Sequence, residues 1–430
     1  DRRFHVETVG FGMKLPPLRD DCFAMPPGVK WTPVEDALML LRSGLHCVTE
    51  VEDIAVSDAG GRILATSVVA QRSSPPYKNS AVDGFGFAIA DLPETEITEL
   101  PLLQGRAAAG APFDGNLKAG YALRILTGAQ VPDGVDTVVL EEDCSISHDR
   151  ITFRSGLKKG ANTRAAGEDV QAGELVLAAE QKLRPQDLAL LAAVGIARVE
   201  VRRKLRVAVI STGDEIVPVS QIATDVQIYD ANRPMLLDAI RAWGFDAIDL
   251  GHVADDADLI ADAFDRGAQQ ADAILTSGGA STGDEDHVSA VLALKGDVQT
   301  WRIAVKPGRP LVLALWNGVS VFGLPGNPVA ALICTLIFAR PALSLLAGAA
   351  WQEPVGFNVP AAFQKSKKAG RREYLRARMR DGEAEVFKSE GSGRISGLSW
   401  ADGLVELGDG VEEIRKGDPV KFYPFGSFGI

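Results

Sequence analysis

Short apolar runs alternate with helical patterns between Arg203 and Ser277, and this alternation constrains the fold more than any other feature of the chain. Strands that alternate with helices are typical of a parallel sheet with crossover helices. We predict strands at LRVAVIST (205–212), 246–250 and 273–277, with helices at 232–243 and 256–269. Because ligands bind such sheets where the strands end, the residues just after these strands are candidate site residues.

Two glycine-rich turns follow predicted strands, STGDE (211–215) and TSGGASTGDEDH (276–287). Their backbone N–H groups can converge on a phosphate, and the carboxylates that follow are suitable ligands for Mg²⁺. The sequence therefore predicts a phosphate site bridged by a cation, with the two turns close together. A plain glycine-rich connection with an acidic helix start explains the second turn equally well. For Asp255 in the ADD turn (254–256), a helix N-cap is the favoured explanation.

Basic residues cluster in two segments of this acidic chain, KPGRP (306–310) and GRREYLRARMR (370–380). KPGRP (306–310) and LPGNP (324–328) together could form a small rigid anion pocket, although a surface turn and a helix cap explain them as well. GRREYLRARMR (370–380) reads as a strand whose arginines suit the planar capture of an oxyanion, and a solvated edge strand is the alternative. For NSAVDGFGFA (79–88), composition alone predicts only a turn at Asp83.

Length and charge limit the class of protein. A chain of 430 residues exceeds a single core, so about three domains are expected, and its net charge of −12 argues against a nucleic-acid binder. No run is predicted to cross a membrane, because the longest candidate (328–348) is interrupted by Arg340 and Pro341 and reads as a buried helix that kinks or ends there. The four cysteines are Cys22, Cys47, Cys144 and Cys334. They are scattered along the chain, so they indicate neither a zinc site nor a disulfide framework, and they favour a cytoplasmic location.

The segments on either side of the alternating region are rich in strand patterns. Strands are predicted at 63–70, 122–126 and 136–141, and helices at 33–46 and 185–194. From about residue 352 the strand pattern returns, which predicts a small β-barrel or sandwich. Residues 1–30 are proline-rich and are expected to form an arm that lies on another domain or on a partner chain.

The motifs also occur in a recognisable order. NSAVDGFGFA, RILTGAQVPDGVDTVVLEE (124–142), RAAGEDV, STGDE, QIYDANR, the SGGASTGDED turn, KPGRP and GLPGNPV follow one another along the chain. This series resembles the MoeA family, the molybdopterin molybdotransferases related to the gephyrin E domain, and the resemblance covers roughly residues 33–430. It implies an elongated multidomain chain of α/β plus β class, with an α/β molybdopterin-binding domain like that of MoaB and Mog.

The resemblance implies four regions after the arm at 1–30, which it does not cover. They are an elongated linking domain (31–75 and 163–202), an inserted β-rich domain (76–162), the α/β molybdopterin-binding domain (203–349) and a C-terminal β-barrel (350–430). It further implies a homodimer whose active site lies in a cleft between the subunits. A molybdopterin adenylyltransferase and enzymes that receive the finished cofactor would be possible partners.

The family reaction inserts molybdate into adenylated molybdopterin with Mg²⁺, releasing AMP and molybdenum cofactor. By motif, the resemblance assigns catalytic roles to Asp83, Thr127, Glu215, Asp255 and Asp286, and metal binding to Asp286, Asp284 and Glu215. It assigns substrate or molybdate binding to Ser277, Gly278, Gly279, Ser281, Asp284, Lys306, Arg309, Pro325, Asn327, Arg371 and Ser392.

The chain departs from the family pattern at several molybdate-pocket positions. Arg309 stands where Lys is common, Ala330 where Ser is frequent, and Gly393 lies in a stretch that is usually serine-rich. A molybdopterin adenylyltransferase and a non-catalytic molybdopterin-binding scaffold are the alternative functions. The N-terminal Asp83 region and the C-terminal strands argue against the first, and the presence of all the acidic residues argues against the second.

Overall fold

A computed structural model describes residues 31–278, 287–300, 302–308 and 311–430. The predicted arm at 1–30 lies outside these residues. The predicted domain boundaries stay predictions, but the sheets show the architecture of each region.

The N-terminal half contains one large sheet and several two-stranded pairs. Six strands form the large sheet in the order β7-β4-β6-β5-β9-β8, while β1 pairs with β12, β2 with β11 and β3 with β10. The elements are α1 (Val34–Gly44), β1 (Val51–Ala55), β2 (Val68–Val69), β3 (Asn79–Ser80), β4 (Gly84–Phe87), β5 (Ile97–Ala107), β6 (Ala122–Ile125), β7 (Thr137–Leu140), β8 (Cys144–Ser147), β9 (Arg150–Arg154), β10 (Thr163–Arg164), β11 (Leu175–Leu177), α2 (Pro185–Ala193) and β12 (Arg198–Arg202).

The strand predicted at 63–70 is shorter than expected. Only Val68–Val69 forms a ladder, while Ile63 and Leu64 make isolated bridges to Lys182 and Val201. Both residues are buried in a core cluster, so their apolar character reflects packing and does not produce a continuous strand.

The central region is the predicted α/β domain. Its six-stranded sheet has the order β16-β13-β17-β21-β20-β18, in which the first four strands run parallel. Ser211 at the end of β13 lies opposite Ser277 at the end of β17, so both glycine-rich turns leave the same edge. The elements are β13 (Arg206–Thr212), β14 (Ile216–Val217), β15 (Ile228–Tyr229), α3 (Asn232–Ala242), β16 (Asp246–Val253), α4 (Ala257–Gln270), β17 (Ala273–Ser277), α5 (His287–Lys295), β18 (Asp297–Thr300), β19 (Val305–Lys306), β20 (Val312–Trp316), β21 (Val319–Leu324), α6 (Pro328–Cys334) and α7 (Arg340–Leu346).

The apolar segment 328–346 is one continuous helix. A π segment, Thr335–Ala339, joins α6 to α7, so the expected end at Arg340 and Pro341 is wrong. Proline has no N–H and crowds the carbonyl four residues before it, and the wider π turn just ahead of Pro341 avoids the regular bonding that proline disrupts. The helix is long and apolar enough to cross a membrane by length and composition, with a mean hydropathy of 2.1, but 89% of it is buried inside the protein, as in a core helix.

The C-terminal region closes into a barrel. The strand order is β19-β24-β26-β28-β22, and β25 also pairs with β24, on the side away from β26. A bridge between Ala361, just after β22, and Ala384 in β25 closes the barrel. The elements are β22 (Phe357–Pro360), β23 (Lys365–Lys367), β24 (Arg372–Arg380), β25 (Glu383–Val386), α8 (Ser396–Trp400), β26 (Gly403–Leu407), β27 (Glu412–Ile414) and β28 (Pro419–Pro424).

The basic strand β24 is central, and the edge-strand alternative is wrong. It pairs with β19, β25 and β26, and its side chains Glu373 and Arg376 are buried. The many charged residues of β24 resemble the pattern of a solvated strand. The two that are buried have partners inside the protein, because Glu373 pairs with Lys306 and Arg376 donates to the Arg394 carbonyl.

Substitution of Gly403 tests the register between β26 and β28 of the barrel. A methyl group there would overlap with the carbonyl oxygen of Tyr423 and lie 2.8 Å from the ring of Phe422. We expect Gly403→Ala to lower the free energy of unfolding by about 1–3 kcal/mol, because neighbouring backbone must move. Gly410→Ala adds a methyl group in open space and should change it by less than about 0.5 kcal/mol. Urea denaturation measures both, and equal values would contradict this register.

Candidate functional site

Asn232 joins the end of a strand to the start of a helix. Its side-chain Nδ2 donates to Ser277 Oγ at 2.7 Å and to the Gly326 carbonyl at 2.6 Å. Ser277 ends β17 and Gly326 belongs to the LPGNP turn before α6, so one buried amide holds two predicted site segments together. Asn232 is not among the site residues predicted from the sequence. Its position as first residue of α3, just after a short strand, was the available signal.

Several buried polar atoms at this edge of the sheet have no hydrogen-bond partner among the described residues. They are Ser211 Oγ, Thr212 Oγ1, Thr276 Oγ1, Asn232 Oδ1 and Asp255 Oδ1. Buried polar groups normally have partners, so a cluster of such atoms favours a binding site for a polar ligand. The edge where β13 and β17 end is therefore the best candidate site of the α/β domain.

Asp255 connects two acidic turns. Its carboxylate accepts from the Asp214 N–H at 3.2 Å, and its own N–H donates to Asp214 Oδ1 at 3.0 Å. The expected N-cap role is wrong for Asp255, because Asp256 caps α4 by accepting from the N–H groups of Asp258 and Leu259. Glu215 lies exposed in the same turn, with its carboxylate folded over Gly213.

Part of the predicted site lies outside the described residues, namely Gly279, Ser281, Asp284, Asp286 and Arg309. The structure does place Gly278, with φ +99°, so close to Thr212 that a side chain would overlap with the Thr212 carbonyl. Within 31–278, 287–300, 302–308 and 311–430, no group of three His, Cys, Asp or Glu side chains could hold a metal ion. The Mg²⁺ site therefore stays a prediction.

The predicted molybdate-pocket turns pack along α6. The Ser392 carbonyl accepts from the Val329 N–H at 3.3 Å, and a side chain at Gly393 would lie 3.8 Å from Asn327 Oδ1. On the other side, Cys334 Sγ donates to the Gly308 carbonyl at 3.6 Å. Three turns that are far apart in sequence thus pack along α6, two at its first turn and the Gly308 turn against Cys334, its last residue, although their role in binding stays a prediction.

Lys306 belongs to a four-charge cluster that also contains Lys365, Glu373 and Glu390. Lys306 Nζ lies 2.7 Å from Glu390 and 3.5 Å from Glu373, and Lys365 Nζ contacts both carboxylates. Burial raises the pKa of Glu390, but the hydrogen bonds from Lys306 and Lys365 outweigh it and hold that pKa below its usual value. Lys306, Lys365 and Glu390 line a pocket of about 210 Å³.

Strand pairing brings the second basic segment to the same place. Lys306 in β19 lies opposite Glu373 in β24, and Arg371, which is half-buried, directly precedes β24. The structure therefore places the KPGRP turn beside GRREYLRARMR. Glu390 was missed in the sequence because 84 residues separate it from Lys306.

Asp83 and Thr127 form a pair on the β-rich sheet. Asp83 precedes β4, Thr127 follows β6, and these strands are neighbours. The N–H and the hydroxyl of Thr127 donate to Asp83 Oδ1 at 2.7 and 2.6 Å. The Thr127 hydroxyl is the main reason why the pKa of Asp83 is lowered. Among the described residues, no hydrogen bond or ion pair joins this pair to the α/β domain.

Three family models match successive parts of the chain. They are the MoeA N-terminal region (domain I and II) over residues 32–195, the probable molybdopterin binding domain over 208–345 and the MoeA C-terminal region (domain IV) over 358–425. Molybdopterin molybdenumtransferase of Haemophilus influenzae is 34% identical over 88% of this chain and 94% of its own length. The enzyme of the same name from Nostoc is 32% identical over 86% of this chain and 88% of its own length.

Solved structures agree over nearly the whole chain. The molybdopterin biosynthesis moeA protein of Pyrococcus horikoshii is 27% identical, with a TM-score of 0.80, over 92% of this chain and all of its own. A second structure of a protein with that description is 30% identical, with a TM-score of 0.77.

The Asp83–Thr127 pair makes a prediction that a titration can test. Thr127→Val removes the hydroxyl donor but keeps the N–H, so the pKa of Asp83 should rise toward its usual value. Thr127→Ser keeps the hydroxyl and is the matched control. Because the pKa is depressed in the folded state, any stability gained from the pair is present at neutral pH and lost as the pH falls through that pKa. Carboxyl NMR titration would contradict the assignment if Asp83 titrated identically in both variants.

Proposed function

Since the chain belongs to the MoeA family and is a molybdopterin molybdenumtransferase of molybdenum cofactor biosynthesis, we propose that its substrates are adenylated molybdopterin and molybdate and that it releases AMP. The two substrates need different surroundings. A phosphoanhydride calls for N–H donors and a counter-charge, whereas a tetrahedral oxyanion calls for a small pocket of fixed cations.

One observation supports the proposal more than any other. Asn232 ties Ser277, at the edge of the parallel sheet, to Gly326, at the start of α6, and a side chain at Gly326 would be only 3.7 Å from Gly278. The proposed nucleotide end and the proposed molybdate end are therefore immediate neighbours. A molybdenum atom transferred between them would have a short distance to travel, as proximity in catalysis requires.

The nucleotide end would use the β13 and β17 edge. We propose that the backbone of Ser277 and Gly278 contacts the substrate phosphates. The hydroxyls of Ser211, Thr212 and Thr276, which have no hydrogen-bond partner among the described residues, would serve the same region. Asp255 would keep the Asp214–Glu215 turn in place through its two hydrogen bonds.

We propose Mg²⁺ as the cofactor, with Glu215, Asp284 and Asp286 as ligands. The described part of the donor set fits only in part, because Glu215 is exposed and available but has no second described carboxylate in a metal-binding group. When bound, the cation would cancel the charge between these carboxylates and the substrate phosphates. Asp284 and Asp286 complete the set only by sequence.

The molybdate end would use the turns around α6. We propose that Lys306, Arg309 and Arg371 supply positive charge and that Asn327, Pro325 and Ser392 shape the pocket. Glu390 and Glu373 would fix the Lys306 ammonium in position, since both carboxylates approach it.

Molybdenum would be bound by the sulfur atoms of the substrate, so the reaction needs no protein thiolate. Burial raises the pKa of Cys334 to about 12 and that of Cys144 to about 11, so these two thiols stay protonated at neutral pH. We propose that Asp83 and Thr127 act on the site of the partner subunit in a homodimer. A cytoplasmic location and contacts with an adenylyltransferase and with cofactor-accepting enzymes complete the proposal.

Release of AMP from adenylated molybdopterin tests the proposal. We expect release only when Mg²⁺ and molybdate are both present. Asp286→Ala should lower the rate at least about a hundredfold while the protein stays folded, because it removes a proposed metal ligand. Arg371→Ala should raise the half-saturating molybdate concentration about tenfold or more through loss of a charged hydrogen bond.

Arg198→Ala is the matched control, because it removes an exposed arginine that pairs with Asp53 away from the site. It should leave the rate and the molybdate dependence unchanged. Release of AMP without molybdate would contradict the transferase mechanism. Bound substrate with no release at all would instead favour a non-catalytic scaffold.

A further inference from the structure

A second pocket, of about 180 Å³, lies where the linking region, the α/β domain and the C-terminal end of the chain meet. The basic side chains that line it are Arg62, Lys182, Arg202, Arg203, Lys204 and Arg340. Among the described residues of its lining there is no Asp or Glu. Such a concentration of positive charge is unexpected in a chain of net charge −12.

Arg340 is the least compensated of these cations. Only 9% of the residue is exposed, its Nη1 has no hydrogen-bond partner, and no ion pair joins it to a described residue. Its guanidinium lies 5.9 Å from the centre of the Phe428 ring. Burial lowers its pKa, which reflects the free-energy cost of holding this charge away from water.

Lys182 and Arg202 contribute further positive charge without a described carboxylate partner. Lys182 Nζ donates to the Trp243 carbonyl at 2.7 Å, and Arg202 Nη1 donates to the Thr49 carbonyl at 3.1 Å. Arg202 Nε is buried and has no partner among the described residues. These carbonyls satisfy hydrogen bonds but carry no net charge, so they do not compensate the cations.

The other arginines of the lining show the contrast. Arg62 pairs with Glu52, and Arg203 pairs with Glu50 and Asp272. Carboxylates are therefore within reach of this part of the surface, but no carboxylate of the described residues forms an ion pair with Arg340, Lys182 or Arg202. A buried cation without a counter-ion is costly, and a bound anion removes that cost.

We propose that this pocket binds a small tetrahedral oxyanion, with Arg340 as its central ligand and Lys182 and Arg202 beside it. Since about 10–15 Å³ of such space holds one water molecule, the pocket accommodates several waters or one four-oxygen anion. Guanidinium groups bind such anions through pairs of parallel hydrogen bonds. Because the cations come from different regions of the chain, the anion would hold those regions together.

The pocket is separate from the candidate active site. Arg340 begins α7, whereas the proposed molybdate residues surround the start of α6, 12 residues earlier on the same helix. At 1.5 Å per residue the two ends are roughly 18 Å apart. The proposal therefore does not depend on the enzymatic function, and its test needs no turnover.

Thermal unfolding at constant ionic strength tests the proposal with inorganic phosphate, sulfate and molybdate as separate probes. A ligand that binds only the folded protein raises the unfolding temperature as its concentration increases. We expect such a rise for the unmodified chain. In Arg340→Met the rise should be lost for phosphate and sulfate and reduced for molybdate, which also has its own proposed pocket. Without added anion, Arg340→Met should unfold at the same or a higher temperature, because an apolar side chain replaces a buried unpaired charge.

Two controls separate this pocket from other anion effects. Arg198→Met removes an exposed charge elsewhere and should keep the full response. Lys306→Met disables the proposed molybdate pocket and should keep the response to phosphate. The anion whose response falls most in Arg340→Met identifies the preferred ligand of this pocket.

The proposal is overturned if none of the three anions raises the unfolding temperature, or if Arg340→Met responds as the unmodified chain does. Should Arg340→Met fail to fold, Lys182→Met serves instead. We expect that variant to need about ten times more phosphate for a half-maximal response, through loss of a charged hydrogen bond. An unchanged phosphate requirement in Lys182→Met would likewise overturn the proposal.

Discussion

The close packing of three glycine-containing turns, at the end of β13 and along α6, is the constraint on which the candidate site depends. Gly278 lies against Thr212, Gly326 lies next to Gly278, and Gly308 lies against Cys334. A side chain at Gly278 or Gly308 would overlap with these neighbours, so the approach requires glycine. Asn232 then fixes the arrangement through its two hydrogen bonds. Residues from the α/β sheet and the barrel therefore meet at one point.

The same helix lies between two electrostatic environments. Near its N-terminal end, Lys306 and Lys365 are balanced by Glu373 and Glu390, which hold the ammonium groups in fixed positions. At Arg340, past the π segment, no described carboxylate balances the charge. The balanced, fixed charges around Lys306 suit a site that must bind and release a substrate. The uncompensated charge at Arg340 suits a ligand that stays bound to the folded protein.

The sequence predicted the α/β domain well because its signal is local. Strand and helix alternate over 205–277, and the ends of β13 and β17 lie side by side as the parallel arrangement requires. Contacts between distant segments were harder to predict. Asn232 and Glu390 were missed because their partners lie 45 to 94 residues away, and no local pattern marks them.

Where local rules failed, tertiary contacts decided the outcome. β24 has the charge pattern of an edge strand, but neighbouring strands cover both of its sides and its charges find partners. Pro341 predicts a break, which the π segment accommodates without ending the helix. By residue type, Asp255 and Asp256 are equally good N-caps for α4. Tertiary contacts distinguish them, because Asp255 bonds to Asp214 and Asp256 is left to cap the helix.

The most direct test of whether turn packing positions the molybdate-binding residues is a measurement on Gly308→Ala. The quantity to measure is the molybdate concentration that gives half-maximal AMP release. The added methyl group would overlap with Cys334 Sγ and push the KPGRP turn away from α6. Gly318→Ala imposes a comparable backbone conformation, with φ +81°, but meets nothing within 4 Å. We predict a rise of about tenfold or more for Gly308→Ala, because small displacements of binding groups are costly, and no rise for Gly318→Ala. Equal molybdate dependence in the two folded variants would contradict the account.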